Sequence, residues 1–576
     1  MTNIRTFLDM EITTILNELG YISTEAYISQ SNRPDLSDYQ SNVAMVLAKK
    51  YHKSPIEIAK PIIEKLQNKD FVAKATIDGP GFINLSLSDT FMIQEVSEEL
   101  KSSGKTIILD YGGPNIAKEM HVGHLRSAII GESLKRIMRR FGDTAIGDVH
   151  FGDWGTPIGM LIAQLKREQP NLAYFQKVFD TTDFSLSISE ISALYRRAAA
   201  AFKEDDSFKD EARIATFELQ KGNQGYRALW KLFKDKSVEA VKVNYDKLDV
   251  EFDLWMGESD VNDLLPQLID DLSQKGLAVL SEGALIVKLP RINGHSRAPL
   301  ILKKSDGAYT YAATDLATII QRVRDYKPTN ILYVVDARQH EHFEQVFEVA
   351  RMAGYVSDKT ILEHIAFGTV NGKDGKPFKT RAGGVMNLND LINLAIEKAK
   401  NNIAPEECNS NVIQQATQLA IGALKYQDLK NSRISDYIFD TENFTKSEGK
   451  TGVYIQYAVA RINSILDKSG IPLVDIEEAK ISISHPLERE LLLHIKRNTE
   501  ALFEAYVRRE PSVIAEYIYI LSQKFSTFYS EVPINSEDNR LIKLSRLKIV
   551  NLIRKILKEN LNLLGISAPD RISAKK

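Results

Sequence analysis

The chain has 576 residues, 43% of them apolar and 26% charged, and its 74 Lys and Arg against 76 Asp and Glu leave a net charge of −2. That balance excludes a uniformly basic nucleic-acid coat, though not a binder whose cations gather on one face. The single cysteine, Cys408, excludes a disulfide framework within the chain and a Cys-rich zinc knuckle, and no apolar run is long enough to span a membrane.

At roughly 100–200 residues per domain, the length predicts about three to five domains. Met1–Gly20 carries Asp9, Glu11 and Glu18 among its apolar residues, so neither a signal nor a transit peptide is expected, and a reducing cytoplasm fits. Ile4, Phe7, Leu8, Ile12, Ile15, Leu16 and Leu19 fall at helical spacing, and Gly20 follows as a cap. Gly79-Pro80-Gly81 then reads as a turn into an alternating strand, Phe82 to Leu87. Residues 1–103 are expected to form a small α+β domain. The run Thr106 to Tyr111 predicts a buried strand, broken by Gly112-Gly113-Pro114-Asn115. A helix follows, carrying Leu125, Ile129, Ile130, Leu134, Ile137, Met138 and Phe141. Strand, tight loop and helix make the first half of a βαβ unit. Further strands are expected at Ala284–Leu289, Pro299–Lys303 and Ile331–Asp336, the last apolar on both faces as in a parallel sheet. Residues 156–283 read as a largely helical insertion, and from Asn389 onward the chain reads as helix after helix. No repeat of 20–50 residues is present.

Three constellations carry chemistry. His121-Val122-Gly123-His124 opens the helix after the Gly-rich break. A helix N-terminus suits phosphate, and two imidazoles there can donate to phosphoryl oxygens; plain helix capping is the weaker reading. Gly368 to Gly384 holds five glycines and four cations, enough to close over a polyphosphate or to form an exposed hairpin. Asp110, Tyr311, Asp315 and Gln339 all sit near expected strand ends, where open α/β sheets bind ligands. Each also has a local reading as a turn or first-turn residue. Leu541–Lys576 adds nine Lys/Arg against two Asp/Glu, which fits an RNA footprint or a solvated helix face.

The run Asp110-Tyr111-Gly112-Gly113-Pro114-Asn115-Ile116-Ala117-Lys118-Glu119-Met120-His121-Val122-Gly123-His124-Leu125-Arg126-Ser127 closely resembles the active-site signature of the arginyl-tRNA synthetase family. So do Gly152-Asp153-Trp154-Gly155, Asp38 to Ala44, Gly79 to Asn84, Ala423-Leu424-Lys425-Tyr426, Tyr454 to Ile462 and Leu564 to Pro569. The motifs run in the family's order across essentially the whole chain.

This resemblance implies a multidomain α/β protein. A class I catalytic domain with a Rossmann-type parallel sheet would span 104–155 and 284–388, with the helical insertion at 156–283 between. The α+β domain 1–103 would touch the tRNA elbow, and an all-α bundle within 389–576 would bind the anticodon region. The implied reaction activates L-arginine with ATP and Mg²⁺ to arginyl-adenylate, then esterifies the terminal adenosine of tRNA(Arg), releasing AMP and pyrophosphate. In the family the first step usually needs bound tRNA. By motif, His121, Gly123, His124 and His342 would serve ATP, while Asp110, Asn115, Tyr311, Asp315 and Gln339 would surround arginine. Tyr39, Gln40, Asn42, Tyr454, Tyr457 and Arg461 would meet tRNA. No side chain is assigned to a metal, and a cytoplasmic monomer is implied. The family's Lys-Met-Ser-Lys-Ser signature is reduced here to Lys376-Pro377-Phe378-Lys379-Thr380, so the cation for the phosphates is Lys379, Lys376 or Lys118. A catalytically silent tRNA-binding paralogue is the alternative; intact His121, Gly123, His124 and Asp315 argue against it.

Overall fold

Residues 3–94, 103–176, 184–291, 295–376, 378, 386–400 and 410–572 are described by the computed structural model. The first helix, Ile4–Glu18, is capped by Asn3, whose side chain accepts from the Thr6 N–H, and it buries Ile4, Leu8, Ile12, Ile15 and Leu16. This apolar stripe lies against a four-stranded antiparallel sheet, in the order Ile28–Gln30, Tyr39–Ser41, Phe82–Leu87, Val72–Asp78. Only Phe82–Leu87 was legible as a strand. Val72–Asp78 has just two buried residues in seven, too weak an alternation to read.

The second sheet is parallel, in the order Ile361–His364, Asn330–Val334, Thr106–Tyr111, Thr144–Asp148. The chain enters at Thr106–Tyr111, adds one neighbour, crosses through the insertion and adds the other neighbour on the opposite side. The order therefore reverses between Thr106–Tyr111 and Asn330–Val334, and ligands bind outside the carboxyl ends at such a switch point. Asp110 lies there, in register with Tyr333 on one side and Asp148 on the other.

Two expected strands belong elsewhere. Ala284–Val287 pairs antiparallel with both Ala278–Ser281 and Leu300–Lys303 in a separate three-stranded sheet. The cause is local: Glu282 and Gly283 both adopt positive φ, 49° and 81°, which makes a two-residue hairpin turn.

The insertion contributes helices Thr156–Glu168, Ile188–Glu204, Asp206–Lys221 and Gln224–Lys247. After Leu388–Lys400 and Ser410–Leu429, a helical bundle runs from Gly452–Ser469 to the last helix, Arg540–Leu563. The last helix buries Leu547, Val550, Ile553, Leu557 and Leu561, as its spacing predicts. The N-terminal unit is fastened to this bundle by polar contacts. Arg489 clasps both oxygens of Asp38 at 3.1 and 2.7 Å. Glu500 accepts from the Arg5 N–H at 3.0 Å, the Gln30 amide at 3.2 Å and the Tyr39 hydroxyl at 2.7 Å.

Candidate active site

The helix Val122–Arg140 begins on two histidines that cap each other. His121 Nδ1 accepts from the Gly123 N–H at 3.0 Å, and His124 Nδ1 accepts from the His121 N–H at 3.1 Å. Their ring centroids lie 4.0 Å apart. Gly123 is required by this packing, because a Cβ there would sit 2.8 Å from His121 Cε1. Burial lowers both imidazole pKa values. The His121 charge adds to the effect at His124, which falls to about 3, and Lys118 adds to it at His121. Both rings are thus neutral near pH 7. A neutral ring that accepts at Nδ1 carries its proton on Nε2. The capping and phosphate-donor readings are therefore compatible: Nδ1 caps and Nε2–H donates.

Of the three candidate cations, Lys118 lies within electrostatic reach of both histidines, and its ammonium sits 4.7 Å over the Tyr195 ring. Lys376 is exposed, and Lys379 lies outside the described residues. Neighbouring Lys373 is paired with Glu442 at 2.6 Å.

The amino-acid end is built on helix Tyr311–Tyr326. Tyr311, Asp315, Thr318 and Arg322 recur at helical spacing and share one face. Asp315 Oδ2 lies 2.6 Å from His342 Nε2, so His342, assigned to ATP by the resemblance, joins the carboxylate end. Asp110 also has a different partner from the one expected. Its Oδ2 takes Arg322 Nη2 at 2.7 Å, and the same nitrogen reaches Asp148 at 2.6 Å. Burial opposes both carboxylate charges. Arg322 and His150 overcome it at Asp148, whose pKa lies below the usual range, but not at Asp110, whose pKa lies above it. An internal guanidinium thus engages Oδ2 of Asp110. Asn115, bridged to Gly152, and Gln339, which follows the sheet's Asn330–Val334 strand, are both exposed.

Sequence reasoning missed Glu258. Burial first, and the charge of Asp315 second, push its carboxyl up to about 8, while His150 pulls the other way. Tyr311 is raised by burial and then by Glu258, so Glu258, Asp315 and Tyr311 act on one another electrostatically where helix Tyr311–Tyr326 packs on Glu258–Leu264. Tyr195 of the insertion also acts on Tyr311 and lies under Lys118, bridging these groups to the histidine end. Nothing in the pattern around Glu258 marks it. The signal lay in Gly152-Asp153-Trp154-Gly155, whose Asp153 is fully buried. Asp153 accepts from the Ser259 N–H at 2.9 Å and the Ser259 hydroxyl at 2.6 Å, and pairs with Lys234 at 2.6 Å. A Cβ on Gly257 would sit 2.7 Å from Asp153 Oδ1. The motif's carboxylate therefore grips the residues on both sides of Glu258.

The tRNA assignments fare unevenly. Tyr39 is fully buried with its hydroxyl on Glu500, so it presents no surface to a nucleic acid. Gln40 and Asn42 are half-buried, and the Asn42 Oδ1 has no hydrogen-bond partner among the described residues. Tyr454, Tyr457 and Arg461 share a face of helix Gly452–Ser469, and Arg461 lies 5.8 Å from the exposed ring of Tyr529. The basic C-terminal run is partnered within the protein while several of its cations stay exposed. Each of its described cations, Lys543, Arg546, Lys548, Arg554, Lys555, Lys558 and Arg571, reaches a protein acceptor. Among the described residues no group of three or more His, Cys, Asp and Glu could hold a metal ion, and no helix is long and apolar enough to cross a membrane.

Three family profiles match the chain: "Arginyl tRNA synthetase N terminal domain" over 6–87, "tRNA synthetases class I (R), catalytic domain" over 88–441, and "DALR anticodon binding domain" over 455–572. The arginine–tRNA ligase of Francisella tularensis subsp. holarctica (strain LVS) is 42% identical over 587 residues, covering 99% of this chain and 100% of its own length. That of Alkaliphilus oremlandii is 41% identical, covering 97% and 98%. The arginyl-tRNA synthetase structure from Plasmodium falciparum superposes with a TM-score of 0.80 at 27% identity, covering 98% of this chain and 99% of that one. The Thermus thermophilus arginyl-tRNA synthetase shares the fold, with a TM-score of 0.81 at 22% identity, covering 99% and 100%.

Proposed function

The chain belongs to the arginyl-tRNA synthetase family and is an arginine–tRNA ligase of class I, and from that premise we propose how its residues divide the work. The substrates are L-arginine, ATP and tRNA(Arg). The arginine carboxylate attacks the α-phosphate of ATP and pyrophosphate leaves; the terminal adenosine hydroxyl of tRNA then takes the arginyl group and AMP leaves. A site for this reaction must hold the reactants in line and stabilise charge on the phosphoryl oxygens.

The observation that carries the division is the pair of histidines with Nδ1 engaged on backbone N–H groups. Their Nε2–H groups, the positive end of the helix dipole and Lys118 together face the phosphates. Lys376 and Lys379 belong to the Gly/Lys stretch and supply further cations. At the other end, Glu258 and Asp315 take the substrate guanidinium, with Tyr311 beside them; Asn115 and Gln339 hold its α-amino acid head. A planar guanidinium with five donors matches two carboxylates. Asp110 contributes through Arg322, not through the substrate. Mg²⁺ enters as part of the nucleotide substrate and no step here is assigned to it.

In the same reading, Gln40 and Asn42 of the domain 1–103 meet the tRNA elbow. Tyr454, Tyr457 and Arg461 offer a stacking surface for unpaired bases within 389–576. The protein works as a monomer in the cytoplasm. A silent tRNA-binding paralogue is not favoured.

The test is arginine-dependent ATP–pyrophosphate exchange, with and without tRNA, against lysine and citrulline. Exchange with arginine alone among the three supports the carboxylate pair. Equal exchange with citrulline, which lacks the positive charge, removes Glu258 and Asp315 from the pocket.

A further inference from the structure

We propose that Arg126 is a positioning residue for adenylate formation, and that it registers the phosphate-facing helix against the foot of the Gly/Lys stretch. The proposal rests on the phosphate reading of the two histidines given above. Arg126 lies two residues after His124 on the same helix, and its side chain is fully buried.

The guanidinium is shared among three places in the fold. Nε pairs with Asp428 Oδ2 at 3.1 Å, with both side chains out of solvent. Nη1 donates to the Gly368 carbonyl at 2.8 Å and to the Ser435 carbonyl at 3.1 Å. The Tyr437 ring lies 5.2 Å from the guanidinium, and its hydroxyl donates to Asp428 Oδ2 at 2.9 Å.

Each partner stands at a junction. Gly368 is the first residue of the Gly/Lys stretch. The stretch continues into Val370–Asn371, which pairs with Tyr437–Ile438. Asp428 ends the helix Ser410–Leu429, which leads toward the C-terminal bundle. One side chain thus joins the helix that carries the histidines, the foot of the cationic loop and the route to the tRNA-binding bundle. Arginine is the residue able to do this, because its rigid fork meets several acceptors at once. Lysine keeps the charge and loses the fork. Burial keeps the pair free of screening, so a displaced Asp428 is felt at Gly368 rather than lost to water.

The test is steady-state ATP–pyrophosphate exchange by the full-length chain with tRNA present, comparing Arg126→Lys, Asp428→Asn and Tyr437→Phe. Arg126→Lys should lower kcat by about 10²-fold, the cost of a small misplacement of reacting groups. Arginine KM and tRNA Kd should stay within about twofold, because neither site touches Arg126. Tyr437→Phe removes only the hydroxyl on Asp428; it should lower Tm modestly, as the loss of one buried hydrogen bond does, and, assayed well below Tm, lower kcat by about threefold or more. The Arg126→Lys and Asp428→Asn effects should be strongly non-additive. Unchanged kcat in Tyr437→Phe, or losses spread evenly over kcat, arginine KM and tRNA Kd, would overturn the proposal. If Arg126→Lys does not fold, Tyr437→Phe decides. Absence of exchange in the unmodified chain would instead sink the phosphate reading itself.

Discussion

Nδ1 of His124 accepts the main-chain N–H of His121 at 3.1 Å, and this bond decides which nitrogen of His124 is left for chemistry. With burial holding the ring neutral, the proton sits on Nε2. Asparagine can imitate Nδ1 and glutamine can imitate Nε2–H. His124→Asn should keep the cap and Tm but lower kcat for ATP–pyrophosphate exchange by about 10²-fold or more. His124→Gln should retain more activity than His124→Asn. The opposite order would make the ring a structural cap alone.

With Glu258 and Asp315 taking the substrate guanidinium as proposed, arginine binding gains a pH dependence. The Glu258 carboxyl titrates near 8 in the empty site, so much of it is protonated at pH 7, while the guanidinium needs the carboxylate. Arginine KM should therefore fall as pH rises through about 8, with a proton released on binding. The stability effect runs the other way. Between the ordinary carboxylate pKa and about 8 the unfolded chain binds fewer protons at this residue, so the empty protein loses stability as pH rises there, and arginine restores it. Glu258→Gln should raise arginine KM and flatten its pH profile. A profile unchanged in the variant would assign the titration to another group.

Asp153 never reaches the substrate in this arrangement, yet it holds Ser259 by two hydrogen bonds. Asp153→Asn should raise arginine KM with little change in ATP KM, and Ser259→Ala should do the same more weakly. Equal losses for both substrates would make the motif a general fold element.

Asp315→Ala should raise arginine KM steeply, because it removes a carboxylate that pairs with the guanidinium. ATP binding should survive. Unchanged arginine kinetics would take Asp315 out of the pocket and leave it as the partner of His342.

Tyr39→Phe removes a buried hydroxyl that Glu500 accepts, so it should lower Tm and leave tRNA Kd unchanged. Gln40→Ala should do the reverse. A loss of tRNA affinity in Tyr39→Phe at constant Tm would show that the ring is reached by tRNA after all.

Much of this could be read before any coordinates. The helix Ile4–Glu18, the central strand Thr106–Tyr111, the His-opened helix and the final helix all show their buried stripes in their spacing. Strands Thr144–Asp148 and Ile361–His364 were not legible: they are short, and their apolar residues are mixed with Thr, Asp and Glu. The two hairpin strands were recognised as strands but not assigned to their own sheet, because pairing is not written in a single strand's pattern.

The sequence by itself determined the family and the order of the units, because these depend on local spacing and on motifs of adjacent residues. Only the tertiary structure decided which charges meet. Asp110 found Arg322 across 212 positions, Asp153 took hold of the loop of Glu258 from 106 positions away, and Tyr39 turned inward to Glu500 across 461. A buried carboxylate takes whichever donor the fold brings within about 3 Å, and that distance is set by packing among elements far apart in the chain.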